Sequence, residues 1–144
     1  YKNIRIVIGD ACEMKNFSDK EFDIVFSNSV IEHVGDMVQQ KKMADEVRRV
    51  GKRYFVQTPN YWFPFEPHFL MIGFQYLPLS WKAYLLRCFN LGWYRKIDNY
   101  DESICLANSI RLLAKKDLTR LFPGAIIVPE KIFGLTKSYM VYKE

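Results

Sequence analysis

Cysteine is scarce in this chain. There are three in 144 residues, Cys12, Cys88 and Cys105, far apart in sequence and odd in number. No CxxC or CxxH pair gives zinc spacing, so neither a disulfide framework nor a structural metal is expected, and a reducing, cytoplasmic compartment fits. Long apolar runs are missing as well: none reaches the roughly 18 residues needed to span a bilayer as a helix. Internal repeats and low-complexity tracts are absent, and 49% hydrophobic with 26% charged residues is an ordinary globular composition. That excludes a disordered tail and a collagen-like chain. Charge of one sign is not concentrated either. Twenty-one Lys and Arg against 16 Asp and Glu leave a net charge of +5, compatible with an anionic partner but too weak for nucleic-acid binding. The start resembles no signal peptide. An opening residue of Tyr1 rather than Met is what a trimmed or processed product, or a piece of a longer chain, would show.

Aromatic residues are what the chain does have, and they are unevenly spread. Twelve of its 23 lie between residues 61 and 95. Ahead of them the pattern alternates. Ile4 to Ile8 reads as a short buried strand ended by Gly9-Asp10, and Phe22 to Phe26 as a second strand of parallel type running into Ser27-Asn28-Ser29. A helical turn over Val30 to Val34 follows. A helix then runs from Gly35-Asp36 to a stop at Gly51, with Met37, Val38, Met43, Ala44 and Val47 on its inner side. Arg53 to Thr58 is a third strand, broken by Pro59. Strand, helix and strand at this spacing predict a parallel αβ sheet with the helix against one face. The aromatic segment predicts two helices, over 67–77 and 79–90. After a polar stretch at 96–103, 109–113 is extended, 116–122 is a helix stopped by Pro123-Gly124, and 125–132 with 136–142 form an antiparallel hairpin around Gly134.

Taken in order, Gly9-Asp10-Ala11 after a strand, Phe22-Asp23-Ile24-Val25-Phe26-Ser27-Asn28-Ser29-Val30-Ile31-Glu32-His33-Val34, Tyr54 to Asn60 and the terminal hairpin resemble the second half of a class I S-adenosylmethionine-dependent methyltransferase. Pro59 to His68 looks like a subgroup acting on small molecules or glycans. The resemblance implies a Rossmann-like parallel sheet in the strand order 3-2-1-4-5-7-6, ending in an antiparallel hairpin and lacking the first two strands here. The glycine-rich loop that cradles the cofactor's methionine end does not occur, and the resemblance puts it ahead of Tyr1. Without those strands, Ile4–Ile8 lacks its neighbour and Phe22–Phe26 shows an unpaired apolar edge.

The resemblance also implies roles. Asp10 and Ala11 would contact the adenine of S-adenosylmethionine, and Ser27 and Asn28 would lie beneath its methionine part. The competing readings are a turn residue for Asp10 and a cap for Asn28. His33 is the candidate catalytic base, against a histidine that only packs. Glu66 and His68, two apart in an extended stretch, would point the same way toward a polar acceptor or simply anchor their loop. No third ligand accompanies them, so no metal is expected.

Residues 61–95 admit three uses: a lid over the acceptor pocket within one partial methyltransferase domain, a peripheral membrane contact built from aromatic and basic residues, or a homodimer interface. The expected activity is methyl transfer to a small-molecule, sugar, glycan or lipid-linked acceptor. The alternative is a methyltransferase-like binding or assembly module without catalysis.

Overall fold

The computed structural model describes residues 3–144. Its main sheet has four strands: β1 (Phe22–Asn28), β2 (Gly51–Pro59), β5 (Ile126–Ile132) and β6 (Leu135–Lys143). The order is β1-β2-β6-β5. β1 and β2 are parallel, and β6 runs antiparallel to both β2 and β5. This is the 4-5-7-6 portion of the order that the resemblance implies. The β5–β6 turn takes two residues, Phe133 and Gly134, both at positive φ (50° and 82°). That mirror-image turn matches the twist of a hairpin, and Gly134 adopts it freely.

Between β1 and β2 runs α1 (Met37–Val50). Asp36 starts it by accepting the Val38 and Gln39 backbone N–H groups. Met43, Ala44 and Val47 are buried against Tyr54, Val56 and Val141 of the sheet, and Val50 is buried as well. Val38, expected on the inner side, is exposed instead. One residue after Met37 it falls about 100° further round the helix, outside the stripe. α4 (Lys115–Leu121) covers the same sheet face through Leu118 and Leu121, with Phe122 packed on Tyr54.

Ile4–Ile8 forms no strand, and Ile6 and Ile8 stand 89% and 96% exposed. A strand needs a neighbour for its backbone groups. None among the described residues lies beside this one. β1 is the sheet edge, with Ile24 and Phe26 exposed on the face away from α1. The loop from 10 to 21 is nevertheless well anchored along α1. Arg49 donates to Phe17 O, Met14 O, Asp19 and Glu46, while Glu46 accepts the Met14 N–H at 2.7 Å.

The aromatic segment differs most from expectation. Instead of a helix over 67–77, two short strands, β3 (Phe65–Glu66) and β4 (Met71–Ile72), are followed by a single 3-10 turn at Phe74–Tyr76. The Glu66 carboxylate takes the N–H groups of His68 and Phe69, and Leu70 and Gly73 sit at positive φ, so a helix cannot start. α2 (Leu79–Cys88) fits the second expected helix, stopping two residues early. α3 (Tyr100–Asn108), capped by Asn99, occupies part of what reads as a polar stretch. Between 109 and 113 only Leu113 pairs, as an isolated bridge to Asn60. A second small core, Phe69, Phe74, Leu86 and Ala107, holds these pieces together.

Two backbone contacts decide where the loop carrying His68 can lie. Gly92, at φ 56°, sits so close that an added Cβ would come within 2.5 Å of His68 O and 2.7 Å of the Phe69 carbonyl carbon. On the other side of the rim, Gln40 is fully buried and donates to Ile31 O at 3.1 Å and Arg111 O at 2.8 Å.

Gln40→Leu keeps the bulk of that side chain and strands both carbonyls. It should cost about 2–4 kcal/mol, read as a lower urea midpoint at unchanged slope. Gly92→Ala should cost about 1–3 kcal/mol. It should also move the His68 ring resonances in a histidine NMR spectrum while the amide signals of β1 and β2 hold their positions.

Candidate functional site

The carboxyl ends of β1 and β2 form one rim, and the chain turns sharply there. Ser29 adopts φ 52°, its N–H donating to Gln57 O and its hydroxyl to Gln57 Oε1, both at 3.0 Å. That bend releases the chain from the sheet into the short turn Ile31–His33. Within the turn Ile31 and Glu32 go inward with no exposed surface, and His33 points out.

Glu32 is the unusual member. Its Oε2 accepts the Thr58 hydroxyl of β2 at 2.8 Å, while Oε1 is buried without a hydrogen-bond partner. Its backbone carbonyl takes the Arg111 N–H at 2.8 Å. Burial pushes the Glu32 carboxyl above the usual range, with its own backbone N–H and the Thr58 hydroxyl pulling the other way.

From the opposite side comes the 65–69 loop. Glu66, 2% exposed, closes the loop on itself through the His68 and Phe69 N–H groups and holds His68 Nδ1 at 2.7 Å. The expected parallel orientation of Glu66 and His68 is thus a turn rather than an extended stretch, and it does bring the two together. The His68 ring stands edge-on to His33, centroids 4.7 Å apart at 85°. Partial burial, then the neighbouring His68, holds His33 below the ordinary imidazole value, against the pull of Glu66. The imidazole therefore keeps a free lone pair near neutral pH. Glu32, His33 and His68 each offer a ligand atom, all within 4.8 Å of one another. Glu66 is not one of the three: two members of the cluster, Glu32 and His33, come from the turn after β1.

Behind Glu66 opens a cleft of about 810 Å³, whose wall includes Asp36, Gln39, Trp62, Glu66, Lys82 and Arg111. Burial lowers the Lys82 ammonium, Glu66 opposing it. The cleft thus presents cations and anions to a polar guest, with aromatic walls.

The four cofactor-side candidates reach the same end of the sheet by different routes. Asp10 is exposed and accepts the Cys12 N–H at 2.8 Å, the turn role anticipated as its competing reading. Cys12 Sγ in turn meets Gln39 O at 3.4 Å, in the first turn of α1. Ala11 packs on the main core. Ser27 is buried on the helix-covered face with its hydroxyl unpartnered, and Asn28 is exposed on the other. No hydrogen bond joins these pairs to each other or to the histidines among the described residues. Sequence reading passed over Glu32, Thr58, Gln40 and Lys82. The one available signal was a carboxylate inside the apolar run Val30-Ile31-Glu32-His33-Val34.

Comparison with known proteins gives this rim a context. Residues 1–54 match the family model described as a methyltransferase domain, a stretch that includes Asp10, Ser27, Glu32 and His33 but ends before Glu66 and His68. Two uncharacterized proteins of Mycobacterium tuberculosis, from strains CDC 1551 / Oshkosh and H37Rv, are each 41% identical over 59 residues, which is 40% of this chain. The match spans only 20% of the length of these curated relatives. Among solved structures, a SAM-dependent methyltransferase of Methanosarcina mazei is similar over 93% of this chain and 63% of its own, at 16% identity and a TM-score of 0.48. A possible exported protein of Bordetella parapertussis is similar over 94% of this chain and 42% of its own, at 13% identity and a TM-score of 0.50, which speaks for a shared fold alone. The family match thus covers β1 and α1 and ends within β2, on a sheet whose order is the 4-5-7-6 portion that the resemblance implies.

Proposed function

We propose that the protein containing this chain transfers a methyl group from S-adenosylmethionine to a heteroatom of a polar small molecule, of the sugar, glycan or lipid-linked class. The observation that carries the reading is the meeting of His33 and His68 at the carboxyl rim of β1 and β2, backed by Glu66 and opening beside a cleft of mixed charge. Ligands of open parallel sheets bind at that rim.

The residues here are compatible with such a cofactor. Ser27 carries a buried hydroxyl with no partner, and Asp10 offers an exposed carboxylate, which can accept a hydrogen bond from an adenine amine. When bound, S-adenosylmethionine supplies an electrophilic methyl on a sulfonium. Asp10 and Ala11 would then fix the adenine, and Ser27 and Asn28 the methionine end. Glu66 and His68 would bind the acceptor and His33 would face its reacting atom with a lone pair. Residues 61–95 act in this reading as the lid, excluding water from the rim.

A test is methyl incorporation by the full-length polypeptide into hydroxylated acceptors. His33→Ala should lower kcat by about 10²-fold or more. Asp10→Ala should instead raise the KM for S-adenosylmethionine with kcat nearly kept, the mark of uniform binding. Absence of S-adenosylmethionine binding by the full-length polypeptide would leave the binding or assembly module as the reading.

One further observation favours peripheral membrane contact. Trp81 and Tyr84 form the outer face of α2, with Phe89 and Trp93 beyond it, and these rings are all more than half exposed beside Arg87. No helix of the described residues is long and apolar enough to cross a membrane. Aromatic rings among basic side chains suit a headgroup boundary. Sedimentation with anionic vesicles, lost in the double variant Trp81→Ala, Trp93→Ala, is the expected result, and no sedimentation of the unaltered protein would sink this reading.

A further inference from the structure

The geometry points to a binding site for one divalent transition-metal ion, of the zinc type, held by Glu32, His33 and His68 at the rim. The argument begins with a mismatch. Glu32, with no exposed surface, has one carboxylate oxygen bonded to Thr58 and the other buried with no donor. A buried carboxylate oxygen left unpaired is costly, and proteins compensate such a group with a hydrogen bond, a counter-charge or a metal. No donor among the described residues bonds this oxygen, and the two imidazoles nearby make no hydrogen bond to Glu32.

The tautomer of His68 is fixed by its neighbour. His68 Nδ1 lies 2.7 Å from Glu66 Oε1. Because Glu66 already accepts two backbone N–H groups, it serves as the acceptor for the ring N–H as well. The lone pair of His68 is therefore on Nε2. A carboxylate that accepts from one ring nitrogen, fixing the tautomer and the ring plane while leaving the other nitrogen free, is the usual support of a metal-ligating histidine. The His33 ring stands against that ring edge-on. The ligand atoms of Glu32, His33 and His68 thus converge to within 4.8 Å with no hydrogen bond among them. A cation between these three groups would take a lone pair from each.

Two imidazole nitrogens and one carboxylate oxygen form the protein ligand set of open zinc centres, and the same set serves other divalent first-row ions. With bonds of about 2.1 Å, tetrahedral ligands lie about 3.4 Å apart, so separations of up to 4.8 Å have to contract for the ion to bind. His33 is exposed and can supply that movement, and it also leaves an entry path. Glu32 and His68 are held by Thr58 and Glu66 and would move least.

The role of the ion, though not its binding, rests on the methyl-transfer reading. An acceptor hydroxyl in an open coordination position becomes more acidic and loses its proton to water. Its oxygen then forms the new bond to the methyl carbon. The carbon–sulfur bond breaks with its electron pair passing to sulfur, and the sulfonium becomes a neutral thioether. Here His33 acts as a ligand, and no protein base is needed.

The test is a titration of the tag-free 144-residue chain with Co2+ and Zn2+, followed by visible absorption, calorimetry and histidine NMR. The chain has only two histidines, and both belong to the cluster, so the ring signals report on it alone. Expected are one equivalent bound, ligand-field bands without a thiolate charge-transfer band, and shifts of both imidazoles. His68→Ala and His33→Ala should each weaken binding by about 100-fold or more, and Glu66→Gln by about 10- to 100-fold. His33 is exposed, so its variant keeps the test valid should a change at a buried position disturb folding. A folded chain that binds no ion stoichiometrically, or binds it equally well in His33→Ala, overturns the site. Chelation separates the two proposals. Methyl transfer that survives complete metal removal ends the ion's catalytic role and leaves the transferase reading standing. Stoichiometric metal binding by a full-length protein that transfers no methyl does the reverse.

Discussion

Gln40, a side-chain amide with no access to solvent, ties together the three chain segments that make the rim. It donates to Ile31 O in the turn after β1 and to Arg111 O in the segment before α4, and its own Oε1 accepts from the Arg111 guanidinium. Arg111 returns the constraint by giving its backbone N–H to Glu32 O. An amide buried this way is tolerable only when both ends are paired, so these bonds lock or fail as a group. The position of Glu32 is a consequence. With its backbone held by Arg111 and its side chain by Thr58, the carboxylate has no alternative but to face the histidines.

The loop that meets it is built differently. Nothing in 65–69 belongs to the main sheet. Its shape is set by one buried carboxylate, Glu66, serving two backbone N–H groups and one imidazole, and by Gly92, whose missing side chain lets its backbone lie against His68 and Phe69. The aromatic core of Phe69, Phe74 and Leu86 then fixes this loop to α2 and α3. Two separately stabilised halves therefore contribute to one cluster. The Glu32–His33 turn and Gln40 lie within the residues that match the methyltransferase-domain model, and the 65–69 loop lies outside them. Chemistry particular to this chain would be found in the second half, which carries His68 and most of the cleft wall.

Much of the first half was legible because local and global preferences agree there. Asp36 caps α1, Gly51 ends it, the 3.6-residue stripe of Met43, Ala44 and Val47 faces Tyr54 and Val56, and the period of two in β6 buries Tyr139 and Val141. The aromatic segment was not legible for the opposite reason. Its rings suit a helix face as well as a strand, and the deciding feature is a side chain competing for its own backbone. Ile4–Ile8 shows a third case, in which a strand-like pattern finds no partner among the described residues and stays unpaired. Pattern predicts what a segment prefers, and pairing decides whether the preference can be met.

The same distinction explains the site. His33, Glu66 and His68 could be picked out singly by residue type, yet the convergence that gives them chemical meaning runs through Glu32, which composition offers as one more acidic residue. Its burial follows from the short turn after Ser29, and that turn follows from the bond between Ser29 and Gln57 of the neighbouring strand. A charged group next to Ile31 would ordinarily turn outward, and in a turn of three residues one neighbour has to face inward with it. Here Glu32 goes inward beside Ile31 and His33 goes to solvent. Sequence spacing cannot express that choice, because it depends on Thr58 and Arg111 waiting on other elements to receive the carboxylate and the carbonyl. The uncompensated oxygen that results is the strongest chemical statement the fold makes, since among the described residues it belongs to a buried carboxyl group at the rim that the protein's own donors leave half satisfied.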